Sequence, residues 1–217
     1  LKILYEPCLR YDSPVSIGGF QYVDDKTLFK APDRICSAAA IEKDEMVRGF
    51  LTRNITIIAP AMLVSKDFII GNNLFYDESI VFSEDQQFIW RVLFAADRCI
   101  CNRTPIYNYF LRPYSIMASS GAQKMKSGYH SFAGFTEELK DTEDERLCDT
   151  ILARWVLGSL HSAARTTDYQ TFRELASDMR YREKIGILYG FNDIKVKLLS
   201  VMLGFNLKLF YAVGRKL

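Results

Sequence analysis

Before residue 120, three segments of the chain contain apolar residues that recur every three to four positions, which is the period of an amphipathic helix. The first segment, LKILYEPCLRYD, leads to Pro14, near which a helix is expected to stop. The other two segments cover residues 41–53 and 84–96. All three are predicted to be helices.

Two further segments are rich in β-branched and aromatic residues, which favour strands. VSIGGFQYV follows the first predicted helix, and RCICNRTPIYNYF follows the third. Pro105 divides the second segment, so we predict a strand, a turn and another strand there. VDDKTLF has the composition of a hairpin turn, and we interpret Asp24 and Asp25 as turn residues rather than metal ligands. Strands that alternate with helices predict an α/β fold.

The pattern changes near residue 120. Beyond it the sequence contains no proline, and four segments have helical spacing: 121–140, 143–166, 168–189 and 193–216. We therefore predict two parts, an α/β part at residues 1–120 and a helical C-terminal region at residues 121–217.

The last segment, residues 193–217, combines a mostly apolar run with basic residues around and beyond it, namely Lys195, Lys197, Lys208, Arg215 and Lys216. Lys208 interrupts the apolar run, which is therefore shorter than the ~20 residues of a membrane-spanning helix. Two interpretations remain open. The segment is either a helix that lies on an anionic membrane surface or a terminal helix packed within the helical region.

The helix predicted at residues 84–96 begins with two acids, Glu84 and Asp85. Ser83 can cap this helix and Gln86 occupies its third position, so the S-x-x-Q spacing predicts a capping box. The helix dipole favours acids in the first turn by about 0.3–1 kcal/mol each, and it is expected to hold Asp85 ionised. These residues alone leave open whether Asp85 only starts the helix or takes part in chemistry.

The overall composition is that of a folded protein, with 217 residues of which 49% are hydrophobic and 25% charged. The formal net charge of +2 gives no overall positive field, so nucleic acid is not expected as a partner. Five cysteines contain no C-x-x-C pair and leave one unpaired, which is typical of a reducing compartment and predicts a cytoplasmic location. His130 and His161 have no Cys or His partner at metal-ligand spacing, so zinc is not expected, and His161 is interpreted as an ordinary helix residue.

Four motifs occur in order within residues 74–115: FYDES at 75–79, SEDQQF at 83–88, CICNRTPIYNY at 99–109 and FLRPYS at 110–115. This ordered set resembles the acceptor side of inverting family 2 glycosyltransferases. The resemblance implies a partial type-A glycosyltransferase fold, a mixed sheet flanked by helices, followed here by the helical C-terminal region. The first residues, up to Asp25, resemble the helix, strand and turn that follow the D-x-D motif of that family. The D-x-D motif and the nucleotide-binding half would then lie upstream of Leu1, so we do not expect these residues to catalyse transfer alone.

The resemblance also implies roles for individual residues. Asp85 matches the catalytic base of the E-D-x-x-F motif. The acids at the acceptor would be Glu84, Asp77 and Glu78. In the R-x-x-S loop, Arg112 and Ser115 would contact the diphosphate of the donor. A divalent metal, Mg²⁺ or Mn²⁺, is implied as cofactor, with its ligands mostly outside this chain.

Two functions follow as hypotheses. The first is a glycosyltransferase that moves a sugar with inversion from a nucleotide-sugar donor to a glycan or lipid-linked acceptor, in bacterial surface polysaccharide biosynthesis. It would be cytoplasmic or peripheral on the inner face of the plasma membrane. The alternative is a non-catalytic module that docks on a membrane or a partner through its helical C-terminus. An enzyme needs a donor half, whereas a docking module does not.

Overall fold

The computed structural model describes residues 1–23, 28–29, 39–78, 80, 83–110 and 121–216. These residues divide into two compact units. The described residues of Leu1–Glu78 and Glu84–Ala118 form one unit, which we name the sheet unit. Those of Ser79–Ser83 and Ser119–Leu217 form the other, which we name the helical unit.

The sheet unit contains helices and strands in alternation. Its helices are α1 (Lys2–Tyr11), α2 (Lys43–Leu51), α3 (Lys66–Gly71) and α4 (Glu84–Ala95), with a short 3-10 helix at Ala59–Ala61. Its strands are β1 (Val15–Val23), β2 (Leu28–Phe29), β3 (Ala39–Glu42), β4 (Met62–Val64) and β5 (Arg98–Phe110). The three helices predicted in this part of the chain are confirmed.

The described strands form one mixed sheet in the order β2-β1-β5-β3, with β4 also paired to β1. The central strands β1 and β5 run parallel, and the remaining pairs are antiparallel. A parallel pair is usually buried on both faces. Accordingly, Val15, Ile17 and Ile100 are completely buried. The α/β prediction is confirmed.

The prediction of two strands separated by a turn at Pro105 is wrong, because β5 continues through this residue. The pairing of β1 with β5 is irregular there: Ile17 pairs with Cys101, Gly19 with Pro105 and Phe20 with Tyr107. These register shifts take up the extra residues of β5 around the proline. A proline is tolerated in a strand at such a bulge, where the missing N–H does not interrupt a regular ladder.

Gly18 allows α1 and β5 to approach β1 closely. A Cβ atom at this position would lie 2.6 Å from the side chain of Ile106 and 3.2 Å from that of Leu4. Both distances are shorter than the usual contact between carbon atoms, about 3.5–4.0 Å. Gly18 of the Gly-Gly pair in VSIGGFQYV is thus a packing requirement of the sheet unit.

The helical unit is built around one long helix. Its helices are α5 (Ala122–Glu138), α6 (Glu145–Thr166), α7 (Tyr169–Asp178), α8 (Tyr181–Lys184), α9 (Ile194–Phe205) and α10 (Leu207–Gly214), with a 3-10 helix at Ile185–Gly190. The central helix α6 contacts α5, α7, α8, α9, α10 and the 3-10 helix. The half-buried His161 of α6 lies against Phe210 of α10, with 6.5 Å between the ring centroids. It is an ordinary packed helix residue, as interpreted from the sequence.

The helices predicted at 121–140 and 143–166 are confirmed, but the two later ones are each divided. The segment 168–189 breaks at Arg180, which adopts a left-handed backbone conformation with φ 47°. The segment 193–216 breaks at Asn206, which is extended and whose side chain accepts the Leu209 N–H at 3.0 Å to start α10. Helical periodicity did not reveal either break, because apolar spacing continues across both.

The C-terminal segment is packed on one face. Val196, Ser200 and Leu203 of α9 and Phe210 of α10 are buried. The ring of Phe210 stacks on that of Phe172 with 6.3 Å between their centroids. Within the described parts of the chain, no helix is both long and apolar enough to cross a membrane. A terminal helix packed in the helical region therefore accounts for the inner face of this segment, while its outer face stays exposed.

Candidate active site

The start of α4 is held by the core of the sheet unit. Phe88, Ile89, Val92 and Leu93 form its buried face. Trp90 lies against Phe50, the adjoining residue of α2, at 4.6 Å between ring centroids. This packing fixes the helix, and Glu84 and Asp85 project from its first turn.

The predicted capping box does not form. Ser83 adopts φ 67°, a left-handed conformation, whereas a capping residue is normally extended. The backbone N–H of Gln86 donates instead to Oδ1 of Asp85 at 2.7 Å. The Asp85 carboxylate therefore accepts the backbone hydrogen bond that the predicted capping box gave to the Ser83 hydroxyl.

The surroundings of Asp85 act on the pKa of its carboxyl in opposite directions. Burial raises the pKa of the Asp85 carboxyl above its ordinary value, and the negative charge of Glu84 raises it further. The hydrogen bond from Gln86 lowers the pKa, but it does not outweigh burial. Asp85 is half-buried, and desolvation of its charged form is the largest effect on its pKa. This carboxylate is therefore a stronger base than an exposed aspartate.

Tyr76 lies beside the two acids. Its ring stacks on Phe88 of α4, with 4.5 Å between the centroids and 11° between the planes, and its side chain remains 48% exposed. Burial raises the pKa of the Tyr76 phenol, and the charges of Asp85 and Glu84 raise it further. The structure thus brings Tyr76, Glu84 and Asp85 together.

Sequence reasoning did not single out Tyr76. The signal available was the aromatic pair Phe75-Tyr76 directly before the acids of FYDES. Both rings are exposed, although large aromatic side chains are usually buried for most of their surface. Exposed aromatic rings in a loop next to acids are typical of binding sites rather than of a core.

The other predicted site residues lie in an exposed loop or outside the described residues. Asp77 and Glu78 follow Tyr76 in an exposed loop, and both side chains are exposed. Arg112 and Ser115 fall within residues 111–120, which lie outside the described residues. Asp24 and Asp25 also lie outside the described residues. The roles given to these residues stay predictions.

The implied metal ion has no ligand set in the part of the chain that the structure describes. No group of three His, Cys, Asp or Glu side chains comes close enough there to hold an ion. Mg²⁺ and Mn²⁺ take several oxygen ligands, and Mg²⁺ commonly combines one or two carboxylates with waters and substrate phosphates. The described residues alone do not supply a full ligand set, and the metal stays a prediction from the resemblance.

A cavity of about 370 Å³ lies in the sheet unit at the opposite end of α4, lined by Asp12, Pro14, Phe68, Ala95, Asp97 and Arg98. The ten residues from Asp85 to Ala95 span about 15 Å of helix. The cavity is therefore separate from the cluster of Tyr76, Glu84 and Asp85.

The chain was also compared with known proteins. No model of a known protein family and no curated protein matches its sequence. Its structure resembles that of S. aureus TarS 1-349 in complex with UDP-GlcNAc, with a TM-score of 0.65 and 13% identity over 97% of this chain and 61% of that chain. The complex of the same protein with UDP gives a TM-score of 0.62 and 12% identity over 97% of this chain and 60% of that chain.

The chain has a partial glycosyltransferase fold. It spans about three fifths of the length of TarS 1-349. A longer TarS structure matches with a TM-score of 0.55 and 12% identity over 91% of this chain and 36% of that chain. At these identities the likeness is one of fold. Fold alone does not determine activity.

Proposed function

We propose that this chain is the acceptor-side part of an inverting glycosyltransferase in which Asp85 is the catalytic base. The observation that carries the proposal is the half-buried carboxylate of Asp85, with its raised pKa, at the start of α4. It occupies the second position of the E-D-x-x-F motif, in a chain whose fold is shared with part of TarS. The UDP and UDP-GlcNAc bound to TarS support a nucleotide sugar as the donor.

The reaction requires a base on the acceptor side. In an inverting transfer, an acceptor hydroxyl attacks the anomeric carbon in line with the leaving diphosphate and loses its proton as the new bond forms. A carboxylate within about 2.6–3.2 Å of that hydroxyl can take the proton. The raised pKa of Asp85 suits this role, because a base is more effective when its pKa is closer to the working pH.

The acceptor is proposed to be a carbohydrate, either a glycan or a lipid-linked sugar. Glu84, Asp77 and Glu78 would accept hydrogen bonds from its hydroxyl groups, because carboxylates are strong acceptors. The exposed face of Tyr76 would lie against the apolar face of a sugar ring. Synthesis of a bacterial surface polysaccharide, in the cytoplasm, remains the setting proposed from the sequence.

The donor diphosphate is proposed to contact Arg112 and Ser115. A guanidinium presents a planar pair of N–H donors to phosphate, and a hydroxyl adds a further hydrogen bond. Mg²⁺ or Mn²⁺ would neutralise charge on the diphosphate, held by residues outside those described.

The alternative, a non-catalytic docking module, is favoured by one observation: several apolar side chains on the outer face of α9 are exposed. This alternative needs neither a donor half nor a base. It predicts that Asp85 has no effect on any reaction.

Sugar transfer can be tested in the protein that contains this chain together with a nucleotide-binding half. We expect transfer of labelled sugar from a UDP-sugar to an oligosaccharide acceptor. Asp85→Asn should lower kcat by about 10²–10⁴-fold, because the positioned base is lost. Glu84→Gln, which removes a charge from the same helical turn, is the matched control and should have a smaller effect. Equal rates for Asp85→Asn and wild type would refute the role of Asp85, and absence of transfer with every UDP-sugar would favour the docking module.

A further inference from the structure

Four apolar side chains on α9 point away from the helical unit. Ile194 is 67% exposed, Leu198 60%, Val201 45% and Phe205 91%. Their spacing of four, three and four residues places them on one line along the helix. We name these four residues the α9 stripe.

The α9 stripe lies opposite the face that holds α9 in place. Val196, Ser200 and Leu203 are buried. They alternate with the stripe residues along the sequence, and helical spacing places them on the opposite face of α9. This inner face packs against the 3-10 helix at Ile185–Gly190. The attachment of α9 to its unit is therefore complete without the stripe. Scattered exposed apolar residues are normal, but a continuous line of them marks an interaction surface.

Basic residues border the α9 stripe. Lys195 and Lys197 are exposed, and helical spacing places them on opposite sides of the stripe. Lys208, Arg215 and Lys216 follow in and beyond α10, and all are exposed. From Ile194 to the end of the chain the sequence contains no Asp or Glu. The segment is thus apolar along its outer line and positively charged beside it.

We propose that the α9 stripe binds the surface of an anionic lipid bilayer. In this arrangement the four apolar side chains enter the boundary between headgroups and acyl chains, and the lysines remain at the level of the anionic headgroups. The twelve residues of α9 extend about 18 Å, shorter than the ~30 Å hydrocarbon core, so the helix lies in the plane of the membrane.

Charge favours a bilayer over a second copy of the chain. A symmetric contact between two copies of this segment would bring together two surfaces that carry basic residues and no Asp or Glu. Like charges that face each other oppose association. An anionic bilayer instead attracts every basic residue of the segment, and it presents an apolar layer directly below its charges. The inference is independent of the catalytic proposal, because it involves none of the residues assigned to the transfer reaction.

The experiment is co-sedimentation of the full 217-residue chain with vesicles. We expect binding to vesicles that contain equal parts of phosphatidylglycerol and phosphatidylcholine, and much weaker binding to phosphatidylcholine alone. Leu198→Ser/Phe205→Ser should reduce the partition coefficient by about tenfold or more, because two apolar side chains lose their contact with lipid. Lys195→Gln/Lys197→Gln should reduce it by about fivefold per lysine on the anionic vesicles only.

Matched control variants distinguish binding through the α9 stripe from nonspecific binding through exposed apolar or basic residues elsewhere. Leu9→Ser changes a leucine that is 66% exposed on α1, and it should leave binding unchanged. Lys66→Gln/Lys140→Gln removes the same net charge from exposed positions elsewhere, and it should have little effect. All substituted side chains are exposed, so circular dichroism should match that of wild type.

Three outcomes would overturn the proposal. The first is no binding to anionic vesicles. The second is equal losses in the α9 variants and their matched controls. The third is concentration-dependent self-association in lipid-free solution that Leu198→Ser/Phe205→Ser abolishes, because this would assign the stripe to a second copy. Binding that weakens between about 0.1 M and about 1 M salt would support the role of the lysines, because salt screens exposed charges.

Discussion

Opposing effects act on the carboxylate of Asp85. Burial and the neighbouring charge of Glu84 disfavour its ionised form, while the hydrogen bond from the Gln86 N–H favours it. The balance leaves the pKa raised, so the folded protein holds a proton at Asp85 more tightly than the unfolded chain does. An ionised Asp85 therefore costs stability at neutral pH. Such a cost is common at catalytic sites, where function rather than stability determines the residue.

Asp85→Asn should make the 217-residue chain at least as stable as wild type at pH 7. The contribution of an acid with a raised pKa is complete below its unfolded pKa and is lost as the pH rises through its folded pKa. Asparagine does not titrate, and its side-chain oxygen can still accept the Gln86 N–H. The advantage of the variant should disappear as the pH falls towards the ordinary aspartate value of 3.8. Urea unfolding at several pH values measures this difference.

A loss of about 0.3–1 kcal/mol at pH 7 would contradict this expectation, since it would mean that the charge mainly serves the helix dipole. Glu84→Gln removes a charge from the same turn. It therefore separates the effect of the dipole from that of burying Asp85.

Tyr76→Ala should raise the acceptor KM of the transferase by about 2- to 10-fold, with kcat close to that of wild type. The reason is that an aromatic contact worth about 0.5–1.5 kcal/mol would be lost from binding rather than from the transition state. Tyr76→Phe keeps the ring that stacks on Phe88 and should behave like wild type. Steady-state kinetics with a varied acceptor measure both effects. A change in kcat alone would contradict a role in acceptor binding.

The site could be predicted from the sequence only in part. The order of the motifs indicated Asp85 and Glu84, because a linear pattern preserves residues that are close along the chain. Tyr76 was missed, because its contact with Phe88 and its nearness to the acids arise only when the loop folds back on α4. The raised pKa of Asp85 was not predicted, because its burial cannot be read from its position at a helix start.

At the scale of elements, the continuity of β5 depends more on its pairing with β1 than on its own sequence. Pro105 would end most strands, but the irregular pairing opposite Gly19 accommodates it. The same partner strand β1 contains Gly18, which leaves room for Ile106 of β5. The helices of the sheet unit were predictable from local periodicity. The continuity of β5 was not, because it depends on residues more than eighty positions away in the sequence, as for Ile17 and Cys101.

Gly18→Ala should lower the free energy of unfolding by about 1–3 kcal/mol, because the added methyl group overlaps with the side chain of Ile106. Ile106→Ala removes the overlapping atoms, so the double variant should lose less than the sum of the two single losses. Gly71→Ala is the matched control, because a Cβ atom there would meet no atom within 4 Å. Strictly additive losses in urea unfolding would show that the two side chains do not interact.

At the scale of the whole molecule, each unit has a separate core that contains cysteine. Cys99 and Cys101 are completely buried in the sheet unit, and Cys148 is completely buried in the helical unit. None of these three cysteines forms a disulfide. Burial raises the pKa of the Cys99 thiol to about 12, so little of the reactive thiolate is present at neutral pH. These thiols therefore report separately on the opening of each unit.

In a Cys8→Ser/Cys36→Ser variant, we expect none of the three remaining thiols to react with Ellman's reagent under native conditions. All three should react once guanidinium unfolds the chain. Variants that retain only Cys148 or only Cys99 assign the protection to the helical unit or the sheet unit. Rapid native reaction of either single-cysteine variant would contradict the burial of that core. Wild type, with the half-buried Cys8 present, should show additional early reaction.

Ser83 precedes a helix of the sheet unit in the sequence but belongs to the helical unit, and this limits how the protein could recombine with its relatives during evolution. The sheet unit is interrupted in the sequence at residues 79–83, of which the described ones, Ser83 included, belong to the helical unit. The hydroxyl oxygen of Ser83 lies 3.3 Å from the position of a Cβ atom on Gly128. A recombination event at residue 120 would replace Gly128 and its neighbours but leave Ser83 behind. A hybrid with a foreign C-terminal half would therefore need a second, matching change in the short segment just before Glu84, so the two halves are expected to be inherited together.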